Sequence, residues 1–178
     1  MFIYIIIGVV FSIILITIIE NHKKLILDNL IIKTNEATKD IEILLEKKTE
    51  ILSKISKSVN NNEDKKILSN ISKIKNKKLD MFELEKELYS LKKEFDNYIE
   101  DNSLTFDETV ENLTKKLDNT ELELKSLKLY YNKEAKIYNN YIKKITYIFL
   151  KTIKKHNPKD LFDIQKEIEF EILKNDNR

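Results

Sequence analysis

Apolar residues are distributed in two different ways along this chain. From Met1 to Ile19 they form a run that contains no charged side chain. After Glu20 they recur in alternating steps of four and three residues, with charged residues between them. Steps of this kind place apolar side chains on one face of an α-helix. The pattern therefore predicts an apolar N-terminal segment followed by amphipathic helices.

The apolar run is long enough to cross a membrane, since a bilayer core about 30 Å thick needs roughly 20 apolar residues in a helix. A cleaved signal peptide would carry basic residues before a shorter apolar stretch, and small residues at its cleavage site. No Lys or Arg precedes this run, and Thr17 to Glu20 does not resemble such a site. A buried core helix is a weaker alternative because the run has no polar face. We expect residues 1–20 to form an uncleaved, single-pass transmembrane anchor.

Basic residues follow this anchor and none precedes it. His22, Lys23 and Lys24 come directly after the apolar run. Loops rich in Lys and Arg remain on the cytoplasmic side of a membrane. We therefore expect the rest of the chain to lie in the cytoplasm, at the inner surface of the cell membrane.

The first predicted soluble helix continues directly from the anchor, because no Gly or Pro lies between Ile19 and Leu25. One basic residue, Lys48, interrupts its apolar row and must find a partner or extend its ammonium to the surface. The row consists of Leu30, Thr34, Ala37, Ile41, Leu44, Lys48, Ile51 and Ile55, and a second row beside it consists of Leu45, Leu52 and Val59. Three consecutive asparagines at 60–62 then predict a turn.

Two further long helices are predicted after this turn. The apolar row of the second consists of Ile67, Ile71, Ile74, Met81, Leu88, Phe95 and Ile99, with Lys78, Glu85 and Lys92 at polar positions. A turn at 101–103 precedes the third helix, where Thr105 and Glu108 have the spacing of a capping box. The third row is Phe106, Val110, Leu113, Leu117, Thr120, Leu124, Leu127 and Tyr131, and after a shift near Glu134 it continues with Ala135, Tyr138, Ile142, Ile145 and Phe149.

A short amphipathic helix is predicted at the C-terminus, with Asn157 as its cap and Pro158 at its first position. Its apolar residues are Leu161, Phe162, Ile164, Ile168 and Ile172. The predicted fold is all-α: an N-terminal transmembrane helix continuous with an elongated antiparallel bundle of three long helices, plus this short helix. The predicted domains are the anchor at 1–20, the bundle at 21–156, and the C-terminal helix and tail at 157–178.

The composition agrees with long helices and few turns. The 178 residues include one Gly and one Pro, and charged residues make up 35% of the chain with a net charge of +2. Dense, balanced charge of this kind is typical of the solvent faces of helical bundles. With no cysteine, the chain has neither a disulfide framework nor thiol chemistry.

Several motifs resemble those of the LemA family of small membrane-anchored bacterial proteins. In the third helix these are Glu121-Leu122-Glu123-Leu124, Lys128-Leu129-Tyr130-Tyr131-Asn132 and Tyr138-Asn139. Upstream they are Ala37, Ile41, Ile43 and Leu45 followed by residues 47–55, and near the end they are residues 161–164. The resemblance extends over nearly the whole chain, including the anchor. It implies a helical bundle on a membrane anchor and assigns no biochemical role.

The chain departs from the family pattern at several positions. Lys47 and Lys48 stand where the family prefers Arg, and Glu50 stands where it prefers Asp. Other departures are Ser53 and Lys54 in place of Pro-Asn, Thr146 in place of Pro and His156 in place of an aromatic residue. A family segment reading Tyr-Pro-Asp-Leu-Lys is not recognisable between residues 98 and 106. A ligand of those family positions would bind differently here, or not at all.

The sequence contains no recognisable catalytic, cofactor-binding or metal-binding motif. The two histidines, His22 and His156, lie far apart in the sequence, whereas metal sites in helical bundles need several ligands on facing helices. There is no Gly-rich phosphate loop and no nucleophile elbow. We therefore expect no enzyme activity, no cofactor and no small-molecule substrate.

Asn132 and Asn139 are seven residues apart, as are Tyr131 and Tyr138, so each pair shares one helix face. One interpretation is a polar recognition stripe. The interpretation we favour is that these side chains bond to each other or to facing helices and fix the register, as a buried Asn does in coiled coils.

Lysine doublets recur along the chain, at 65–66, 77–78, 92–93, 115–116, 143–144 and 154–155. A nearly equal number of carboxylates, 30 against 32 basic side chains, favours solvated helix faces over a nucleic-acid surface. The expected partners are the lipid bilayer and either another protein or a second copy of the chain. The predicted function is a membrane-anchored helical scaffold or adaptor. The alternative is a membrane-active accessory protein whose C-terminal helix binds the bilayer surface.

Overall fold

A computed structural model describes residues 2–60, 70–102, 107–144 and 156–164 of the chain. Within these ranges the regular structure consists of four α-helices and no strand. They are α1 (Phe2–Asn60), α2 (Ile71–Asn76), α3 (Met81–Asn102) and α4 (Glu108–Lys143). The predicted all-α fold class is confirmed.

Helix α1 contains both the apolar run and the first predicted soluble helix, without a break. The continuity predicted from the missing Gly and Pro is therefore confirmed. Within the apolar run, Ser12 donates a hydrogen bond to the Gly8 carbonyl and Thr17 donates one to the Ile13 carbonyl, each at 2.9 Å. These hydroxyls bond within the helix, so the surface of the run remains apolar.

The second predicted helix is divided into α2 and α3, which corrects the expectation of one long helix. Lys77 follows α2 with an extended backbone, at φ −85° and ψ 137°. Asp80 then begins α3 with a capping box: the Glu83 N–H donates to Asp80 Oδ1 at 2.9 Å, and the Asp80 N–H donates to Glu83 Oε2 at 3.3 Å. The reciprocal bonds satisfy two backbone donors that a helix start leaves free, so a new helix begins at this point.

The third predicted helix corresponds to α4, which begins later than expected. Asp107 is its cap, because Asp107 Oδ1 accepts a hydrogen bond from the Val110 N–H at 2.8 Å. The expected cap, Thr105, lies outside the described residues. Helix α4 ends at Lys143, and the predicted apolar positions Ile145 and Phe149 also lie outside them.

Residues 156–164 have no regular secondary structure. The prediction that a helix begins at Asn157 and Pro158 is therefore wrong. The remainder of the predicted C-terminal helix, from residue 165 onward, lies outside the described residues.

The chain divides into two compact units. The first unit contains Met1–Glu36 and Tyr131–Leu161, and the second contains Ala37–Tyr130 and Phe162–Arg178.

In the first unit, α1 and α4 run antiparallel. Leu27 and Leu30 from α1 form an apolar cluster with Tyr138 and Ile142 from α4. Further along α1, Lys33 lies 3.6 Å from Glu134, which precedes Tyr138 in α4. Residues later in α1 thus contact residues earlier in α4, as expected for antiparallel helices.

In the second unit, α4 runs antiparallel to both α1 and α3. Contacts of α4 with α1 include the ion pairs Lys47–Glu123 and Lys48–Glu121. Contacts of α4 with α3 include the ion pairs Glu85–Lys128 and Lys92–Asp118. The fully buried side chains of this core are Ile41, Leu45, Lys48, Leu52, Ile55, Leu88, Phe95, Leu117, Thr120 and Leu124.

The buried rows of α1 and α4 depart from the predicted rows at Leu44, Leu113 and Leu127 in the second unit. The sequence pattern placed Leu44 and Leu127 in the core, but both are only half-buried. Instead the rows take two successive steps of four residues, Ala37–Ile41–Leu45 in α1 and Thr120–Leu124–Lys128 in α4. Such steps compensate for the drift of a 3.6-residue helix against a strict 3.5-residue repeat, and they turn Leu44 and Leu127 out of the core.

Candidate functional site

The N-terminal part of α1 exposes a continuous apolar surface. Its large side chains from Phe2 to Ile19 are between 44% and 80% exposed, and none of the most apolar stretch is buried. This one helix is long and apolar enough to cross a membrane. Gly8 has open space around its Cα.

An open groove of about 580 Å³ separates α1 and α4 in the second unit. Its walls include Ile43, which is 54% exposed, and Leu122, which is 61% exposed. Leu44 and Leu127, which fit the predicted rows but are only half-buried, line it as well. The groove presents an apolar surface that another protein segment could cover.

Charged residues stand beside this apolar groove. Asp40 and Glu123 contribute to its lining. Glu123 Oε2 also lies 3.7 Å from the Nζ atom of Lys47, and about half of each side chain is exposed. Because about half of each side chain is exposed, both charges are accessible from solvent. An exposed ion pair at this distance contributes little to stability.

The core of the second unit contains two buried lysines. Lys48 has no exposed surface, and its Nζ lies 2.6 Å from Glu121 Oε1. This contact does not have the geometry of a hydrogen bond, and neither atom has a hydrogen-bond partner in the described part of the chain. The expectation that Lys48 finds a partner is confirmed, and the contact is an ion pair.

Lys128 is 1% exposed and donates a hydrogen bond of 2.7 Å to Glu85 Oε1. Glu85 was predicted at a polar position of its helix, and the structure buries it. A signal for this burial was present, since Glu85 lies four residues after Met81 and three before Leu88, in step with the apolar row.

Lys92 is held by two carboxylates, Asp96 on its own helix at 2.6 Å and Asp118 on α4 at 3.3 Å. Burial by itself lowers the pKa of Lys92, but these carboxylates more than offset that effect and raise the pKa above its ordinary value. Lys92 is therefore paired at the edge of the core, since it is half-buried and Asp118 is exposed.

In the first unit the Tyr–Asn motif holds a stretch of backbone. The Asn139 side chain donates from Nδ2 to the Lys159 carbonyl and accepts from the Lys159 N–H at Oδ1, both at 2.8 Å. Tyr131 donates its hydroxyl to the Asp160 carbonyl at 3.1 Å. The favoured interpretation of these residues assumed contacts between helices, whereas here the partner of Asn139 is a backbone segment without regular structure.

Tyr138 completes this cluster. Its hydroxyl lies 3.4 Å from His156 Nδ1, and Lys159 Nζ lies 5.7 Å from the centre of its ring. Burial raises the pKa of Tyr138, and burial together with the Asp160 carboxylate raises the pKa of Tyr131. Burial also lowers the pKa of Lys159. The cluster therefore fixes residues 159 and 160 against α4 through neutral hydrogen bonds.

Of the remaining candidates, His22 is exposed and Asn132 is buried. Thr146 and the doublets at 65–66 and 154–155 lie outside the described residues. Among the residues that are described, no group of three or more His, Cys, Asp or Glu is arranged to hold a metal ion.

Comparison with known proteins yields one match. The sequence model of the LemA family matches residues 37–172. No curated protein sequence and no solved structure matches the chain. The match begins after the apolar run, so the run itself lies outside it. Because the match covers far more than half of the chain, the protein belongs to the LemA family.

Proposed function

We propose that this protein is a single-pass membrane-anchored helical scaffold or adaptor that has no catalytic activity of its own. The anchor is residues 1–20. Its support is the exposed apolar surface from Phe2 to Ile19, which would be unfavourable in water and is favourable in hydrocarbon. The Ser12 and Thr17 hydroxyls bond within the helix, which suits a lipid environment.

The docking surface is the apolar groove between α1 and α4. The observation that carries this proposal is the exposure of Ile43 and Leu122 across an open groove. Single exposed apolar residues are ordinary, but a contiguous apolar surface with charged residues beside it is typical of protein interaction sites. A protein partner that covers the groove would remove both side chains from water.

A binding role fits the polar groups better than an enzymatic one. In the second unit, the buried ammonium group of Lys48 contacts the carboxylate of Glu121, and that of Lys128 contacts the carboxylate of Glu85. A catalytic group must instead reach a substrate in a cleft. The Tyr–Asn motif bonds to backbone, which suits a role in holding the chain.

We place the part of the chain that follows the anchor in the cytoplasm, because Lys23 and Lys24 follow the apolar run. Surface binding by a C-terminal amphipathic helix has less support. Two of its apolar residues, Phe162 and Ile164, are buried, and the rings of Phe162 and Phe82 lie 4.5 Å apart.

Alkaline carbonate extraction of membranes that contain the full-length protein tests the anchor. We expect the protein to remain in the membrane pellet. Complete release into the supernatant would contradict a transmembrane anchor.

Crosslinking in native membranes tests the docking surface. An Ile43→Asp variant places a charge in the groove, and Glu42→Ala changes an exposed neighbour on another face of α1. We expect Ile43→Asp to abolish a crosslinked complex that Glu42→Ala retains. Equal complexes with both variants, or none with the unaltered protein, would contradict the proposal.

A further inference from the structure

We propose that the groove between α1 and α4 is covered by the same groove of a second copy of this chain, in a two-fold dimer. The inference rests on the proposed function, because it uses the membrane anchor to align the two copies. It goes further by naming the partner and the residues that meet.

Symmetry restricts how the two copies can meet. If two copies that are anchored in one bilayer with the same orientation form a two-fold dimer, its axis lies along the membrane normal and equivalent residues lie at the same depth. A two-fold interface brings one surface against itself, so the surface must be self-complementary at equal depth.

The register between α1 and α4 within one chain determines which residues meet between copies. The two helices are antiparallel and bring Lys47 beside Glu123. An axis that runs along the groove places α1 of one copy next to α4 of the other, again antiparallel and at the same level. Lys47 of each copy then faces Glu123 of the other, so opposite charges meet across the interface twice.

Apolar side chains of the two copies also fit each other in this register. Ile43 of one copy lies level with Ser126 of the other, because residues 43 and 126 together line the groove within one chain. Ser126 is small, and the exposed residues Leu122 and Leu129 lie four residues before it and three after it in α4. Ile43 would enter the space over Ser126 between these two leucines, as a side chain enters a hole in packed helices.

The absence of cysteine from the natural sequence permits a direct test. Two full-length proteins of different tag length are purified, one carrying Ile43→Cys and the other Ser126→Cys. They are reconstituted together in phosphatidylcholine–phosphatidylglycerol vesicles and oxidised. Each protein has one thiol, so a disulfide of mixed size forms only between copies.

The matched control replaces Ile43→Cys with Glu42→Cys, which points away from the groove on the same turn of α1. We expect the mixed disulfide to be about tenfold more abundant with Ile43→Cys than with Glu42→Cys, since a disulfide needs Cα atoms within about 7 Å. Equal amounts in the two mixtures would overturn the dimer. A disulfide between two Ile43→Cys copies without the mixed product would overturn the proposed axis.

Charge reversal provides a test that a merely structural role does not predict. Lys47→Glu in the first protein alone should reduce the mixed disulfide on the order of threefold, as expected for exposed ion pairs. Adding Glu123→Lys to the second protein should restore the mixed disulfide. Residues 47 and 123 then carry like charges within each copy, but opposite charges face each other between the copies. Failure of this rescue would overturn the proposed register.

Flotation of the same vesicles separates the two proposals. Protein that floats and resists carbonate but forms no mixed disulfide would overturn the dimer and leave the anchor in place. Protein that does not float would overturn both. If Ile43→Cys in native membranes crosslinks to a different protein while no mixed disulfide forms, the groove belongs to that protein and the second copy is excluded.

Discussion

The two units of this protein bury polar groups by different means. In the second unit, lysines from α1 and α4 pair with carboxylates inside the helical core, as in the pairs Lys48–Glu121 and Lys128–Glu85. In the first unit, Asn139 and Tyr131 bond neutrally to the backbone of residues 159 and 160. The second unit therefore buries lysines in its ion pairs, whereas the lysine of the Lys33–Glu134 pair in the first unit is half-exposed. The first unit also attaches an irregular segment to α4 through neutral hydrogen bonds.

This difference determines what each contact costs when it is broken. A buried ion pair gains little over apolar residues of the same shape, yet removal of one partner leaves a charge without compensation. A neutral hydrogen bond leaves only an unpaired dipole when it is lost. We therefore expect single substitutions to be more damaging in the core of the second unit than at the Tyr–Asn cluster of the first.

The largest effect is expected for Glu85→Gln, which leaves the ammonium of Lys128 buried without a counter-charge. The free energy of unfolding should fall by about 3–5 kcal/mol. Urea unfolding of the full-length protein in detergent, followed by circular dichroism, measures this loss.

The control for this prediction is Glu87→Gln on the same helix, whose ion pair with Lys77 is exposed and spans 3.7 Å. It should change the free energy by less than about 1 kcal/mol. The double variant Glu85→Met, Lys128→Met should recover most of the loss in free energy, because it removes both charges of this pair. Equal losses for the two single variants would contradict the comparison.

A smaller loss is expected for Asn139→Ala, which removes two hydrogen bonds from the Lys159 backbone. The free energy of unfolding should fall by about 1–3 kcal/mol, and the Lys159 amide should exchange faster with deuterium. The matched control is Asn140→Ala, because Asn140 is exposed. Unchanged exchange at Lys159 would show that Asn139 does not hold this segment.

Asp80→Ala tests the division between α2 and α3. It removes the side-chain acceptor of the Glu83 N–H, and loss of an N-cap costs about 0.5–2 kcal/mol. Asp80→Asn keeps an acceptor and should retain most of the stability. If both variants are equally stable in urea, the capping box does not define the start of α3.

The smallest effect is expected in the alkaline pH dependence of the first unit. The pKa of Tyr131 is raised above its ordinary value of 10.0 by burial and by Asp160. The folded protein thus keeps this proton at a pH where the unfolded chain loses it. The contribution of Tyr131 is complete below about pH 10 and decreases as the pH rises towards its folded pKa.

The variant Tyr131→Phe removes this titration, so its urea midpoint should decline less than that of the unaltered protein above about pH 10. Lys159 has a lowered pKa, so its contribution changes in the opposite direction. Because both proteins contain Lys159 and Tyr138, the difference between their pH profiles isolates Tyr131. Parallel profiles would show that Tyr131 does not titrate as we expect.

Much of this fold could be predicted from residue patterns. The continuity of α1 follows from the absence of breakers after Ile19, and the all-α class follows from the spacing of apolar residues. The break before α3 was missed although Asp80 and Glu83 have capping-box spacing, because the apolar row continues across it. Residues 158–164 of the expected C-terminal helix are irregular, and two of them, Phe162 and Ile164, are buried.

The candidate groove was not predictable in the same way. Leu44 and Leu127 fit the apolar rows as well as Leu45 and better than Lys128, so local pattern placed them in the core. Which residue is buried depends on how α1 and α4 face each other over several turns, and a single-helix pattern does not contain that information.

The sequence by itself determined that this chain forms long helices, that its first twenty residues are apolar enough to span a bilayer, and which family motifs it carries. These properties depend on neighbours within a few turns of one helix. Only the tertiary structure decided that Lys128 is buried with Glu85, that Asn139 holds the Lys159 backbone, and that Ile43 and Leu122 line an open groove. Each of these depends on residues distant in the chain, and the position of one helix against another sets their distance.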